Sequence, residues 1–419
     1  MRFLTLLSVL ALSLTLSCFY DIHDGDSFAF EEAQSVWQYL SVFSIHQDRV
    51  PKSANNLTPE QMFDLIDDRL HGYRYTTYIT EGPGTPGLPP GEFIDTPVVV
   101  MPGTVYFHIP DFSYESLQSF QRFTIYLSEF DNIIIDLRYN GGGLVSAAED
   151  MLGEFLPRGT EYLEITRRSY DSNTRRGYTV TGLRSRTQDR HTPALLGKNI
   201  VVLMNGSSAS SSEIMISGIK DGAVSPVRLL GSRTYGKGMG QVLPYRPGKR
   251  SLLITSMFIA GLPGGYAGEY NGVGIEPDEL PAEVRQEAAE EAAAGWSNLA
   301  PAERDSATLE AYRGTLREAH NGYNSLVLDT WMNMLRRNSV INVPALRSML
   351  KTELTELYCA LMSIDSDYEP PTPQETVVTE KAATRAIRPA RLNKTVLQVL
   401  EGNYRPIGAI EIVDELPGE

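Results

Sequence analysis

Between residues 199 and 220 the sequence runs from a strand of buried type, Asn-Ile-Val-Val-Leu-Met, through a turn of glycine and serine, straight into a helical pattern from Ser211 to Lys220. A strand that ends on a small-residue turn and opens directly into a helix is a building unit of α/β folds. The same order recurs upstream. A strand-like Thr104 to Ile109 precedes a helical Tyr114 to Phe130, and a strand of buried type, Ile133 to Leu137, precedes a helical Leu144 to Leu156. A hairpin-like region from Tyr162 to Arg186 follows, with further strands at Val227 to Gly231, Gln241 to Tyr245 and Leu252 to Met257. Apolar runs without polar alternation predict sheets covered on both faces. The expected fold class is therefore α/β, with a core over residues 98–280.

The flanks read differently. Residues 28–80 carry two helical patterns, Phe30 to Val42 and Gln61 to Leu70, the second opened by Thr58-Pro59-Glu60 and placing Met62, Leu65 and Leu70 on one face. They predict an N-terminal helical cap. A Gly/Pro-rich break from Gly82 to Gly91 separates cap from core. Beyond Asp278 the text turns Ala/Glu-rich, and Leu346, Leu350, Leu354, Leu357 and Leu361 form one amphipathic stripe, so residues 281–419 predict an acidic helical extension.

Residues 1–18 predict an export signal: Arg2 is the positive start, Phe3 to Leu16 the apolar stretch, and Ser17-Cys18 close it. The apolar run is shorter than the roughly 20 residues a helix needs to cross a bilayer, so it does not read as a permanent span. Cys18 sits where bacterial lipoproteins carry their lipidated cysteine, and lipidation at Cys18 and simple signal cleavage are both open. The expected location is outside the cytoplasm, periplasmic or held to a membrane through lipid. With 52 acidic against 37 basic side chains the formal charge is −15, which argues against nucleic acid as a partner.

Three segments could carry chemistry. In Asn205 to Asp221, NGSSASSSEIMISGIKD, a strand ends in serines that open a helix. The first N–H groups of a helix lack intrahelical partners and lie at its positive end, so a hydroxyl placed there sits beside donors for a developing oxyanion. Ser210 with Glu213 three residues on also spells a capping box, an ordinary structural reason for a serine at that place. In Ser232 to Val242, SRTYGKGMGQV, Lys237 lies between two glycines before a strand. Gly231 to Lys237 spells G-x-x-x-x-G-K, but Gly238 replaces the Ser/Thr of a phosphate loop and a strand follows where a helix should, so nucleotide binding is set aside. In Asp136 to Gly143, DLRYNGGG, successive glycines let main-chain N–H groups approach a ligand closely. None of the six histidines lies in a metal-binding spacing, and His108 alone is kept as a site neighbour.

Together these segments resemble the tail-specific, or carboxyl-terminal processing, serine proteases, with landmarks IIIDLRYNGGG at 133–143, SASSSEI at 208–214, TYGKGMGQ at 234–241 and GVGIEPD at 272–278. The resemblance implies a crotonase/ClpP-like core, Ser210 as nucleophile, Lys237 as general base and Gln241 orienting the lysine. It also implies oxyanion donors at the N–H of Ser211 and at a glycine of the Gly142–Gly143 pair, Gly142 being preferred. A lysine is a poor base until burial disfavours its charged form. Such a dyad hydrolyses peptide bonds through an acyl-enzyme without metal or organic cofactor. The implied partners are polypeptides, held by strand addition. No PDZ domain is read between cap and core. The rival reading is a catalytically silent, peptide-binding surface lipoprotein on the same fold.

Overall fold

Ile133, Ile134 and Ile135 are all fully buried, because β6 (Asn132–Asp136) is the middle strand of a five-stranded sheet. The structure, a computed structural model, describes residues 24–80, 97–171, 173–174, 176–187, 192–245, 250–297, 343–365 and 409–411. The expected export signal with Cys18, the Gly82–Gly91 break and the Pro-rich stretch beyond Asp365 lie outside the described residues.

In the first sheet β6 is flanked by β5 (Thr104–His108) and β9 (Asn199–Met204), with β10 (Val227–Gly231) beyond β9 and β4 (Val98–Met101) beyond β5. The pairs β5–β6, β6–β9 and β9–β10 are parallel, and only β4 is antiparallel. Parallel neighbours need crossovers, which here contain α3 (Tyr114–Leu127), α4 (Val145–Leu152) and α5 (Ser211–Gly222). One consequence governs the site. The carboxyl ends of β6 and β9 are adjacent, so the turn after Asp136 and the turn after Met204 meet.

The second sheet runs β13 (Ala409–Glu411), β11 (Met239–Tyr245), β12 (Arg250–Ala260), β7 (Glu161–Asp171), β8 (Arg176–Arg186), with β3 (Thr77–Thr80) pairing the first half of β12 and β7 the second. Met257 and Ile259 of β12 join Val202, Met204, Ile214, Met215 and Leu152 in the main core, which ties the two sheets through α4 and α5.

The N-terminal region packs on the other face. Val36, Leu40 and Phe43 of α1 (Asp24–Phe43) and Met62, Phe63 and Ile66 of α2 (Pro59–Ile66) share a second core with Val242, Leu252 and Ile254. Thr58 caps α2 with a reciprocal Gln61 bond and Pro59 stands at the first turn, as the sequence suggests. The helix does not reach Leu70. Asp67 turns left-handed at φ 45° and donates its N–H to Phe63 O, and Arg69–Leu70 instead form β1 against β2 (Tyr73–Arg74). The buried face is therefore Met62, Phe63 and Ile66, while Leu65 is exposed. The region is also more than helical, since β3 extends the second sheet.

Of the C-terminal region, α6 (Ala282–Ser297) and α7 (Val343–Ile364) pack together, with Leu357 and Leu361 buried. Glu356 of α7 reaches into the core to pair with Arg138 at 2.9 Å.

Candidate active site

The serine-rich turn is held by its own hydroxyls. Ser208 Oγ donates to Leu137 O at 2.8 Å, Ser212 Oγ to Asn140 O at 2.8 Å, and Ser211 Oγ to Gly143 O at 3.0 Å. Each bond joins the turn after β9 to the turn after β6, and Ala209 N–H adds a fourth by donating to Asn140 O at 3.0 Å. The runs of serine and glycine that mark the two motifs are thus two halves of one interface.

Ser210 follows at the start of α5 with φ 60° and ψ −114°. A non-glycine residue in that region costs on the order of 1–3 kcal/mol and persists only where its surroundings fix it. Glu213 does the fixing: Ser210 N–H donates to Glu213 Oε2 at 2.8 Å. The same oxygen accepts Lys237 N–H at 2.8 Å, so the two main-chain nitrogens lie within two hydrogen-bond lengths of each other. The other oxygen, Oε1, accepts Gly236 N–H at 2.7 Å and the Thr234 hydroxyl at 2.6 Å. The sequence presents Glu213 as a helix cap; in space it bolts the serine turn to the lysine loop. Burial pushes its carboxyl up to about 7, against four donated hydrogen bonds that favour the ionised form.

Lys237 is fully buried. Its Nζ donates to the side chain of Gln241, Oε1 at 2.8 Å, which reaches from β11 to the lysine in the loop just before that strand. Its Nζ also sits 4.4 Å from the centre of the Tyr75 ring. Gln241 Nε2 in turn donates to Tyr75 O at 2.6 Å, which fixes which end of the amide faces the lysine. Tyr75 comes from the segment after β2 and is held there by the buried Asp68 carboxylate, which accepts the N–H groups of Tyr75 and Thr76 and the hydroxyls of Thr76 and Thr255. The N-terminal region therefore closes the lysine pocket.

The closing GVGIEPD motif explains itself here. A Cβ on Gly274, at φ 88°, would lie 2.3 Å from Thr234 O, and next to it Thr234 N–H donates to Ile275 O while Ile275 N–H donates to the Thr234 hydroxyl. Gly272 N–H donates to Gly236 O at 2.7 Å, and Asp278 takes Lys220 Nζ and Leu229 N–H.

On the facing turn, Asp136 is buried and accepts Tyr106 Oη, Arg138 N–H and the Arg138 guanidinium. Burial alone would raise its carboxyl, but the Arg138 charge and hydrogen bonds outweigh that and hold it below the usual range. Gly142, at φ 103°, brings its main chain against the serine turn: a Cβ there would lie 2.8 Å from Ala209 O, 2.9 Å from Ser210 Cβ and 3.1 Å from Ser211 N. Its own N–H donates to Asn140 Oδ1 at 2.9 Å, and Gly143 stands next at φ 150°.

Ser210, Ser211, Lys237, Gln241, Gly142 and Gly143 thus converge at one place, between the carboxyl ends of β6 and β9 and the start of β11. Asn140, Tyr75 and Asp68 were not singled out in sequence, and Glu213 was read only as a helix cap. Of these, only Asn140 and Glu213 lie inside the motifs. His108 stands at the end of β5, in register with Asp136. The histidine that approaches the lysine loop is His71, edge-on to Tyr235 with Nε2 2.9 Å from Tyr235 O. Among the described residues no three His, Cys, Asp or Glu side chains are grouped as a metal would require.

Residues 103–280 match the family model described as peptidase family S41. The chain is 29% identical over 150 residues to a carboxyl-terminal-processing protease of Synechocystis sp., an overlap of 36% of this chain and 31% of that one. It is 31% identical over 152 residues to the chloroplastic carboxyl-terminal-processing peptidase 1 of Arabidopsis thaliana, covering 36% and 27% of the two chains. The matches span about a third of the length of these relatives. A solved photosystem II D1 C-terminal processing protease aligns over 50% of this chain and 48% of its own, at 23% identity and a TM-score of 0.33. The chain carries, at residues 103–280, a peptidase family S41 domain.

Proposed function

We propose that the protein is an exported serine endopeptidase that cleaves extended polypeptides through an acyl-enzyme on Ser210. The observation that carries this reading is the fully buried Lys237 amine, held on the neutral amide of Gln241 beside a strained serine whose main chain shares one carboxylate oxygen with the lysine's. An amine kept from water and offered no carboxylate by Gln241 is suited to act as a base.

In this reading Lys237 Nζ takes the Ser210 Oγ proton as the oxygen attacks the scissile carbonyl. The oxyanion forms at the amino end of α5, where Ser211 N–H can receive it, and the lysine then returns the proton to the leaving amine. Water repeats the sequence to release the acyl group. Since Gly142 N–H is taken by Asn140, the second donor is assigned to Gly143, in place of the Gly142 preferred from sequence. Residues 98–280 carry the chemistry, residues 28–80 close the lysine pocket, and residues 281–419 form the acidic extension. Residues 1–18 act as the export signal, and mass spectrometry of the mature protein decides between lipidation at Cys18 and simple signal cleavage.

The direct test is incubation of the purified chain, without residues 1–18, with an unfolded model protein, reading product termini by mass spectrometry. New internal termini are expected. An intact substrate that nevertheless co-elutes with the protein would replace the peptidase by a silent peptide binder.

Gly142→Ala is a sharper test of the oxyanion site. The new methyl would sit over Ser211 N–H at 3.1 Å and against Ser210 Cβ, in a backbone region that alanine rarely adopts. The expected result is a loss of about 10²-fold or more in kcat, the scale of losing one oxyanion donor, with stability lowered by about 1–3 kcal/mol. Activity within a factor of two of wild type would remove the oxyanion from this turn.

A further inference from the structure

β11 has β12 along one edge. Along the other, from Gly240 to Val242, lies a strand from near the end of the chain: Ala409, Ile410 and Glu411 pair in parallel with Gly240, Gln241 and Val242. The place of this short strand is notable for what surrounds it. Its first residue is opposite Gly240, three residues past Lys237, and its second is opposite Gln241, whose side chain holds the lysine amine. β13 also approaches α4, the helix that leaves the Gly142–Gly143 turn. It therefore lies between the strand that carries Gln241, just after the lysine loop, and the helix that follows the oxyanion turn.

A polypeptide to be cut at Ser210 must pass between those same two walls. An open strand edge there offers a row of main-chain donors and acceptors that an extended peptide can pair with whatever its side chains. We propose that the Gly240–Val242 edge of β11 is the docking strand for the polypeptide substrate, and that residues 409–411 occupy it in cis, so that substrate must displace the chain's own segment. The proposal deepens the peptidase reading and rests on it for the identity of the competing ligand. A tethered segment competes at an effective concentration of order millimolar, so even a weak three-residue pairing shields the edge from dilute peptide.

The test uses the full chain with Ser210→Ala, so that binding is read without turnover, alone and with the added pair Ile410→Pro and Glu411→Pro. One of two adjacent prolines removes an N–H facing β11 whichever phase the strand has. The probe is a fluorescein-labelled synthetic peptide of residues 405–419, followed by anisotropy. The proline pair is expected to tighten its binding by about tenfold or more and to speed amide exchange of the 239–245 segment. Exchange in β9 and α5 should stay unchanged, showing that the fold is intact. Equal affinity for both forms, or unchanged exchange at 239–245, overturns the proposal. Neither readout depends on cleavage, so a wild-type chain that never cuts polypeptide would sink the peptidase reading separately.

Discussion

Ser210→Ala is expected to lower kcat on an unfolded protein substrate by about 10³-fold or more while leaving the fold in place. The main-chain bonds that hold this position, Ser210 N–H to Glu213 Oε2 and Ile214 N–H to Ser210 O, do not involve the hydroxyl. Alanine at φ 60° inherits the strain that serine already bears, so thermal stability should move by less than about 1 kcal/mol. Lys237→Met is expected to be as silent for a different reason and with a different signature. The methionine fills most of the volume, but Gln241 Oε1 loses its donor inside the protein and Tyr75 loses the amine at its face, at a cost of about 1–3 kcal/mol. Hydrolysis rates and thermal unfolding of the two variants side by side separate the roles. Two inactive proteins of which only the lysine variant is destabilised fit a nucleophile and a buried base. Measurable turnover by Ser210→Ala would move the nucleophile elsewhere.

Much of this site was legible because its residues lie in short motifs whose spacing is set by main-chain geometry. The runs Ile133 to Ile135 and Ile200 to Met204 are apolar because both faces of their strands are covered, and parallel pairing of such strands brings their following turns together. Gln241 is four residues after Lys237, which stands in the loop before the strand, and one local bond joins their side chains. What stayed hidden was whatever depends on contact across the fold. Asp68 and Tyr75 lie far from the motifs in sequence, in a segment whose helical reading ran past Asp67, because nothing local announces that an aspartate will turn left-handed there. Glu213 was visible but misjudged in scope: its helix-capping role is local, whereas its three bonds to Thr234, Gly236 and Lys237 require the lysine loop to fold back over α5. The pairing of Ala409–Glu411 with β11 carries no sequence signal either, being a matter of main chain alone.

Glu213→Gln tests that carboxylate directly. Its two oxygens receive three main-chain N–H groups and one hydroxyl, and an N–H can only donate. An amide has one accepting oxygen, so whichever way it is turned its NH₂ faces at least one buried main-chain N–H, leaving it without an acceptor at about 1–3 kcal/mol each. The loss falls on the bolt between the Ser210 turn and the Lys237 loop, and a displacement of about 1 Å between reacting groups is worth about 10²-fold in rate. We therefore expect kcat to fall about a hundredfold with KM little changed, and unfolding at a lower temperature. The pH dependence has a defined sign. Burial holds the Glu213 carboxyl at about 7 against an ordinary value of 4.5, so the folded protein binds this proton more tightly than the unfolded chain. Its contribution to stability is present below about 4.5 and is lost as pH rises through about 7, with a slope of up to about 1.4 kcal/mol per pH unit. Glutamine does not titrate, so the stability gap between wild type and Glu213→Gln should narrow as pH rises across that window. Thermal unfolding of both proteins between pH 4.5 and 7.5 reads this directly. A gap that widens instead would mean that the four donors outweigh burial, and that Glu213 is a carboxylate throughout the range in which the lysine must work.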